Sequence, residues 1–299
     1  MVMRIGYVGL GRMGLRMVKR TLATYEVVAF DIDPDALDRA TELGAYPASS
    51  LMDLAGRLDR PRVIWIMVPA GDPVDLVIED LKPHMERGDV LIDGGNSHFK
   101  DSKRRSEGLA QRGVHYLDVG TSGGLEGAEI GASLTVGGPA EAYRMVLPLL
   151  ECVARPGALL HCGPNGAGHY VKMVHNGVEY AMLQALGEGF EMLKSGPYNI
   201  DLGEVAKVWN NGCVIRSWML ELAGRAFEAD PSLEGLTGEV GGGETGRWMI
   251  EEAMGLEVPT PVIALSLLMR FRSRQRDTFV GKVVAAIRRE FGGHTVVSR

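Results

Sequence analysis

The first half of the chain alternates short apolar runs with amphipathic stretches. Seven runs read as strands: Arg4–Val8, Glu26–Asp31, Arg62–Val68, Asp89–Asp93, His115–Val119, Ser133–Val136 and Ala158–Cys162. Most are continuously apolar rather than alternating, which is the pattern of parallel strands covered on both faces. Helical patterns between them make a βαβ series. Beyond Cys162 the strand signals stop, and from Gly166 onward the periodicity predicts helices joined by glycine-rich turns. Gly163-Pro164-Asn165 interrupts both patterns and marks the expected boundary. The sequence thus predicts an α/β, Rossmann-type domain with a mostly parallel, doubly wound sheet over residues 1–164. An all-α domain is expected over residues 165–299.

Composition narrows the function classes. A chain of 299 residues with a net charge of -6 has ample apolar content for two cores and no basic surplus for nucleic acid. Its longest apolar runs, such as Val63–Val68 and Pro261–Met269, are too short to cross a bilayer. The start of the sequence enters a strand directly, without a basic stretch leading into a long apolar one, so no signal peptide is expected. Three cysteines, Cys152, Cys162 and Cys213, lack metal-type spacing and fit a reduced, cytoplasmic protein. No metal site is expected.

Chemistry first appears after the first strand. Arg4-Ile5-Gly6-Tyr7-Val8 runs into Gly9-Leu10-Gly11-Arg12-Met13-Gly14 and then a helix. That order is the dinucleotide fingerprint in its required context: a tight turn, close approach of a pyrophosphate, and close helix–strand packing. Asp31 closes the second strand about 20 residues on, where a carboxylate accepts both hydroxyls of an adenosine ribose. The same carboxylate, with Asp33 beside it, repels a 2′-phosphate, so NAD is expected over NADP.

The most informative stretch is Gly166-Ala167-Gly168-His169-Tyr170-Val171-Lys172-Met173-Val174-His175-Asn176-Gly177-Val178-Glu179-Tyr180. At about 100° per residue, Lys172, His175, Asn176 and Glu179 fall on one stripe of a helix. An amine, an imidazole, an amide and a carboxylate together suit acid–base work on a small polar ligand better than a merely solvated face. His98, His115 and His161 read as surface or satisfied core histidines, and Trp65, Trp209 and Trp218 as packing. Arg270, Arg272, Arg274 and Arg276 form a basic alternation on a predicted helix; Arg272 and Arg276 read as a solvated face.

The Gly166–Tyr180 helix resembles the signature of the 6-phosphogluconate dehydrogenases, decarboxylating members of the β-hydroxyacid dehydrogenase superfamily. So do Ile92-Asp93-Gly94-Gly95-Asn96-Ser97, Ser122-Gly123-Gly124-Leu125-Glu126-Gly127-Ala128, Gly246-Arg247-Trp248 and Phe291-Gly292-Gly293-His294-Thr295. The resemblance covers nearly the whole chain, in order, and is to the shorter members of the family. It implies oxidative decarboxylation of 6-phosphogluconate to ribulose 5-phosphate, with hydride transfer to NAD. Lys172 then matches the catalytic lysine and Glu179 the acid that protonates the enediol. Asn96, Ser122, Gly123, Gly124, His175 and Asn176 match residues that hold the sugar acid. Tyr180, Thr245 and Arg270 match groups near its phosphate. Arg288 and His294 match a pair that completes the neighbouring subunit's site, implying a homodimer or homotetramer. Met13, Val68 and Ala70 match positions around the nicotinamide, and Asn96 serves both ligands. Leu10 and Arg12 belong to the turn over the pyrophosphate. Where the family carries a lysine this chain has Gly243 and, elsewhere, Pro69; Leu125 replaces a glutamate. Two other readings remain open: a dehydrogenase of a short unphosphorylated 3-hydroxy acid, and a non-catalytic dinucleotide sensor.

Overall fold

The computed structural model describes residues 3–292, 295 and 297. The chain divides into two compact units, Met1–His175 and Asn176–Arg299. The division falls inside a helix, some ten residues beyond the Gly163-Pro164-Asn165 interruption.

In the first unit the elements follow one another as β1 (Arg4–Val8), α1 (Gly14–Thr21), β2 (Glu26–Phe30), α2 (Pro34–Glu42), β3 (Tyr46–Pro47), α3 (Leu51–Gly56), β4 (Val63–Ile66) and α4 (Asp72–Leu81). Then come β5 (Val90–Asp93), α5 (Phe99–Ala110), β6 (His115–Ser122), α6 (Gly124–Ile130), β7 (Ala132–Gly137), α7 (Ala140–Val153) and β8 (Ala154–Gly163). The strands form one sheet in the order β3-β2-β1-β4-β5-β6-β7-β8. All neighbours are parallel except β6 and β7. The seven expected strands are present, the first with the expected bounds and the other six with shifted ends. The sequence reading missed β3, because a two-residue strand ending in proline carries no periodicity. It also undersized β8, whose first half, Arg155-Pro156-Gly157, is polar or turn-like in composition.

Apolar side chains cover both sheet faces. Val27, Trp65, Ile92 and Leu117 pack on one side with α1 and α7; Val28, Ile64, Ile66 and Leu91 pack on the other with α3 and α4. This double burial is why the strands read as unbroken apolar runs. Strand order reverses between β1, which leads to β2, and β4, so a crevice opens at the carboxyl ends of these strands.

Helix α8 (Ala167–Ser195) begins in the first unit and ends in the second. The second unit continues with α9 (Leu202–Asn210), α10 (Trp218–Ala229), α11 (Glu244–Gly255), α12 (Pro261–Arg272) and α13 (Phe279–Gly292). Asp201 and Ser217 cap α9 and α10 by accepting from Glu204 and Leu220 N–H groups. Phe190, Leu202, Ala206, Leu220 and Phe227 form a small core there, with Phe190 edge-on to Phe227. Trp209 packs on that core as expected, but Trp218 is 43% exposed, at the first turn of α10. The basic alternation is also cut short: α12 ends at Arg272, so Arg274 and Arg276 lie beyond it. Among the described residues no helix is long and apolar enough to cross a membrane.

Candidate active site

In the first unit, Gly9 and Asp31 follow directly on β1 and β2, which are paired through Val8 and Phe30. The Asp31 carboxylate accepts the backbone N–H of Leu10 and, at 2.9 Å, that of Asp33. It therefore ties the glycine turn to the end of β2 with lone pairs to spare. A Cβ on Gly14 would overlap the Gly9 carbonyl, so the first turn of α1 can lie against the strand only with glycine there.

A cavity of about 880 Å³ opens over this turn. Gly9, Gly11, Asp31 and Val68 line it, as the fingerprint predicts. An apolar part of its wall, not read from the sequence, includes Ile32, Met52, Pro73, Leu76 and Val77, beside the polar Ser49, Ser50, Asp80 and His84. Ile32 is 92% exposed and Leu76 67%, an exposure that a flat aromatic ligand would remove. The signal was available, since an isoleucine directly after Asp31 has no core to enter once β2 has ended. Leu10 contributes only its backbone, its side chain being buried in the core, and Met13 packs partly against that core. Arg12, Ala70 and Asn96 stand outside the cavity wall. The glycine turn, the acceptor at its edge and the apolar wall match the phosphates, ribose and base of a dinucleotide.

The Asn96 loop is held from below. Asp93, fully buried, accepts from Tyr116 Oη at 2.7 Å, Ser97 Oγ at 2.8 Å and Gly95 N at 3.2 Å. Arg105, also buried, donates to Ser97 on this loop and Asp93 at the end of β5, and to Asp75 on α4 and the Gly71 carbonyl just before that helix. The Arg105 and Arg104 guanidiniums hold the Asp75 carboxyl at about 2, well below the usual range. Thr121 Oγ1 donates to the Gly94 carbonyl at 3.2 Å, bringing the Ser122-Gly123-Gly124 turn beside the Asn96 loop.

The start of α8 is fixed equally firmly. Asp118, buried in β6, accepts the Gly166 N–H at 2.7 Å and the His169 N–H at 2.9 Å, placing an anion at the positive end of the helix. Burial pushes the Asp118 carboxyl up, against the opposing pull of His169. The His169 ring is buried; its Nδ1 hydrogen-bonds with Ser102 Oγ at 2.8 Å, and its Nε2–H donates to the Gly95 carbonyl at 3.2 Å. Thr135 Oγ1 donates to the Gly168 carbonyl at 3.0 Å. These contacts set the position of half-buried Lys172 against β6 and tie it, through His169, to the Asn96 loop. Sequence reading missed Asp118, His169 and Arg105; for Asp118 alone, a charge inside an apolar strand run is a usable signal. Of the other histidines, His98 accepts from Lys100 N at the start of α5, and His161 stacks on Tyr143.

In the second unit, Asn176 is buried and Glu179 half-buried on α8. Tyr180 Oη lies 3.3 Å from Thr245 Oγ1, and the Arg270 guanidinium lies 3.7 Å over the Tyr180 ring. The three residues expected near a phosphate thus stand together. Arg288 is exposed on α13 and makes no described contact with them; His294 lies outside the described residues.

The family profile "NAD binding domain of 6-phosphogluconate dehydrogenase" matches residues 4–166. The profile "6-phosphogluconate dehydrogenase, C-terminal domain" matches residues 168–290. The chain is 51% identical to the NAD(+)-dependent, decarboxylating 6-phosphogluconate dehydrogenase of Haloferax volcanii, over 99% of each chain. It is 37% identical to the decarboxylating 6-phosphogluconate dehydrogenase of Staphylococcus aureus strain N315, over 93% of this chain and 63% of that one. Among solved structures, the Plasmodium falciparum 6-phosphogluconate dehydrogenase superposes with a TM-score of 0.83 at 28% identity, over 99% of this chain and 66% of that one. The chain belongs to the 6-phosphogluconate dehydrogenase family.

Proposed function

We propose that this chain oxidises 6-phosphogluconate at carbon 3 with NAD and releases carbon dioxide, giving ribulose 5-phosphate. The observation that carries the reading is helix α8 itself. Its anchored first turns present Lys172, and the same uninterrupted helix carries Glu179 two turns on. Family membership, with a 51% identical relative named for this reaction and this cofactor, supports it.

NAD, when bound, supplies the hydride acceptor. Gly9, Gly11 and the N-terminus of α1 hold its pyrophosphate, and Asp31 takes the adenosine ribose hydroxyls. Lys172 removes the proton from the carbon-3 hydroxyl as the carbon-3 hydrogen leaves with its electron pair. A free lysine keeps its proton to about pH 10.4, so the lysine must be partly withdrawn from water to act. The 3-keto acid then loses its carboxylate as carbon dioxide, and the bonding pair moves into the enediol. Lys172 returns its proton to the developing enolate oxygen, and Glu179 delivers a proton to carbon 1 of the enediol. Asn96, Ser122, Gly123, Gly124, His175 and Asn176 hold the sugar acid, and Tyr180, Thr245 and Arg270 hold its phosphate.

The working unit is a homo-oligomer in the cytoplasm, with Arg288 and His294 of one copy completing the site of another. Helix α13 supports this by exposing Phe279 (79%) and Val280 (72%), apolar side chains that a second copy would cover. The domain boundary at residues 163–165 belongs to the same proposal.

Purified protein incubated with 6-phosphogluconate and NAD is expected to yield NADH and carbon dioxide in equal amounts. NADH without carbon dioxide, or neither, overturns the reading.

A further inference from the structure

The loop Gly241-Gly242-Gly243 enters helix α11 and is gripped by two arginines. Arg270 Nη1 donates to the Gly241 carbonyl at 3.2 Å. Arg274 donates through Nε to the Val240 carbonyl at 2.8 Å and through Nη2 to the Gly242 carbonyl. With these carbonyls engaged on the arginine side, Arg274 retains its Nη1 amino group, for which no acceptor stands among the described residues. Arg247 lies near the same place, 6.0 Å from the Phe271 ring centroid, with Arg274 5.8 Å from that centroid. Among the described residues none of Arg247, Arg270 and Arg274 forms an ion pair with a carboxylate, whereas Arg276 pairs with Glu239. Glu244, in the first turn of α11, is the acidic group nearest in sequence and makes no described bond to any of them. Three guanidiniums gathered without counter-charge at a helix N-terminus raise the local affinity for an anion.

Position 243 cannot supply a cation itself. Gly243 has φ +125°, a conformation that side-chain-bearing residues rarely adopt. A Cβ there would lie 3.2 Å from Phe271 and 3.3 Å from Leu267, while Arg274 Nη2 would lie 3.9 Å away. The nearest cationic head to this buried corner is therefore Arg274, delivered from beyond the end of α12.

We propose that Arg274 is a specificity-determining residue that binds the phosphate of the substrate beside Tyr180, Thr245 and Arg270, with its Nη1 group as donor. This rests on the phosphorylated-substrate reading above and adds a residue outside it.

The test compares wild type, Arg274→Gln and Arg274→Lys in two measurements: steady-state kinetics with 6-phosphogluconate, and titration with inorganic phosphate by calorimetry. Arg274→Gln is expected to raise KM for 6-phosphogluconate and weaken phosphate binding about 10- to 100-fold, with kcat changed less than about threefold. Arg274→Lys keeps the charge but not the two-carbonyl grip, and is expected to recover most of the phosphate affinity. Unchanged phosphate affinity in Arg274→Gln overturns the proposal. So does a variant that loses kcat without KM, or a Lys variant no better than Gln, since either marks a loop clamp alone. If Arg274→Gln does not fold, Arg274→Lys decides: phosphate affinity lowered as far as the loop's thermal stability overturns it, and affinity retained supports it. Wild type that binds phosphate through Arg274 but does not turn over 6-phosphogluconate would defeat the function reading and not this one.

Discussion

Gly120 on β6 and Lys172 on α8 touch so closely that a Cβ on the glycine would overlap the Cβ of the lysine. The same added atom would crowd Thr135 Oγ1, so it has nowhere to turn. The lysine is placed by what is absent from the strand beneath it. Gly120→Ala should therefore push Lys172 outward by a fraction of a helix radius. A displacement near 1 Å costs about 100-fold in turnover when the group must meet a reacting bond. kcat should fall by that order while NAD affinity, measured by fluorescence titration, stays within about threefold. An unaltered kcat would show that the contact does not set the lysine's position.

Lys172→Met should remove turnover and leave the dinucleotide cavity intact, because no wall of that cavity involves Lys172. The expected loss is at least about 100-fold, the lower end for a positioned acid–base group. Glu179→Gln should slow release of ribulose 5-phosphate more than the appearance of NADH. Rapid-mixing measurement of NADH against final product separates the two steps, and equal slowing of both would remove Glu179 from the last protonation.

Asp31 couples cofactor choice to the glycine turn. Asp31→Ser should raise the NADP-to-NAD ratio of kcat/KM by about 10-fold or more, since one charge repelling a 2′-phosphate is worth roughly 1.4 kcal/mol at short range. It should also raise KM for NAD, because the Leu10 and Asp33 N–H groups lose their acceptor. An unchanged ratio in the two cofactors would mean that discrimination lies elsewhere.

Acid stability should depend on Asp75. Its folded value of about 2, set first by the hydrogen bond from Arg105, lies below the ordinary 3.8. A lowered carboxyl stabilises the fold fully above the unfolded value, and that contribution is lost as pH falls from about 4 through about 2. Asp118, raised by burial, acts in the opposite sense, its protonation on acidification favouring the fold. Asp75→Asn should therefore flatten the fall of Tm between pH 4 and pH 2 relative to wild type, and lower Tm at pH 7. A parallel fall in both proteins would take Asp75 out of the acid transition.

Phe279→Asp on α13 should dissociate the proposed oligomer, since a charge on a covered apolar face loses its water. Sedimentation velocity should show the monomer, with activity lost in step. A dissociated variant with full activity would mean that each copy is complete alone.

Much of the first unit was legible in sequence because each βαβ step buries its strand on both sides and so writes an unbroken apolar run. Gly9, Gly11 and Asp31 were legible because a dinucleotide needs them at fixed spacing. Leu76 was not, since within a helix an apolar side chain waiting for a ligand looks like one waiting for a core; Ile32 carried a signal only through its place just past the end of β2. Asp118, His169 and Arg105 act across 51, 74 and 34 residues of chain, on His169, Gly95 and Gly71, separations at which spacing carries no signal. Arg274 was read as helical and lies past the helix end, where Ser273 closes α12.

The two borders of the sheet differ, and the difference bears on how the protein avoids self-adhesion. At one border β3 is two residues long and ends in proline, too short to template another chain. At the other, β8 runs for ten residues and would invite edge-to-edge polymerisation. Arg155 and Pro156 stand at its entrance, one charged and one without an N–H to offer, and they act there as gatekeepers. Replacing both with valine would be expected to turn a guarded sheet margin into a seed for fibres.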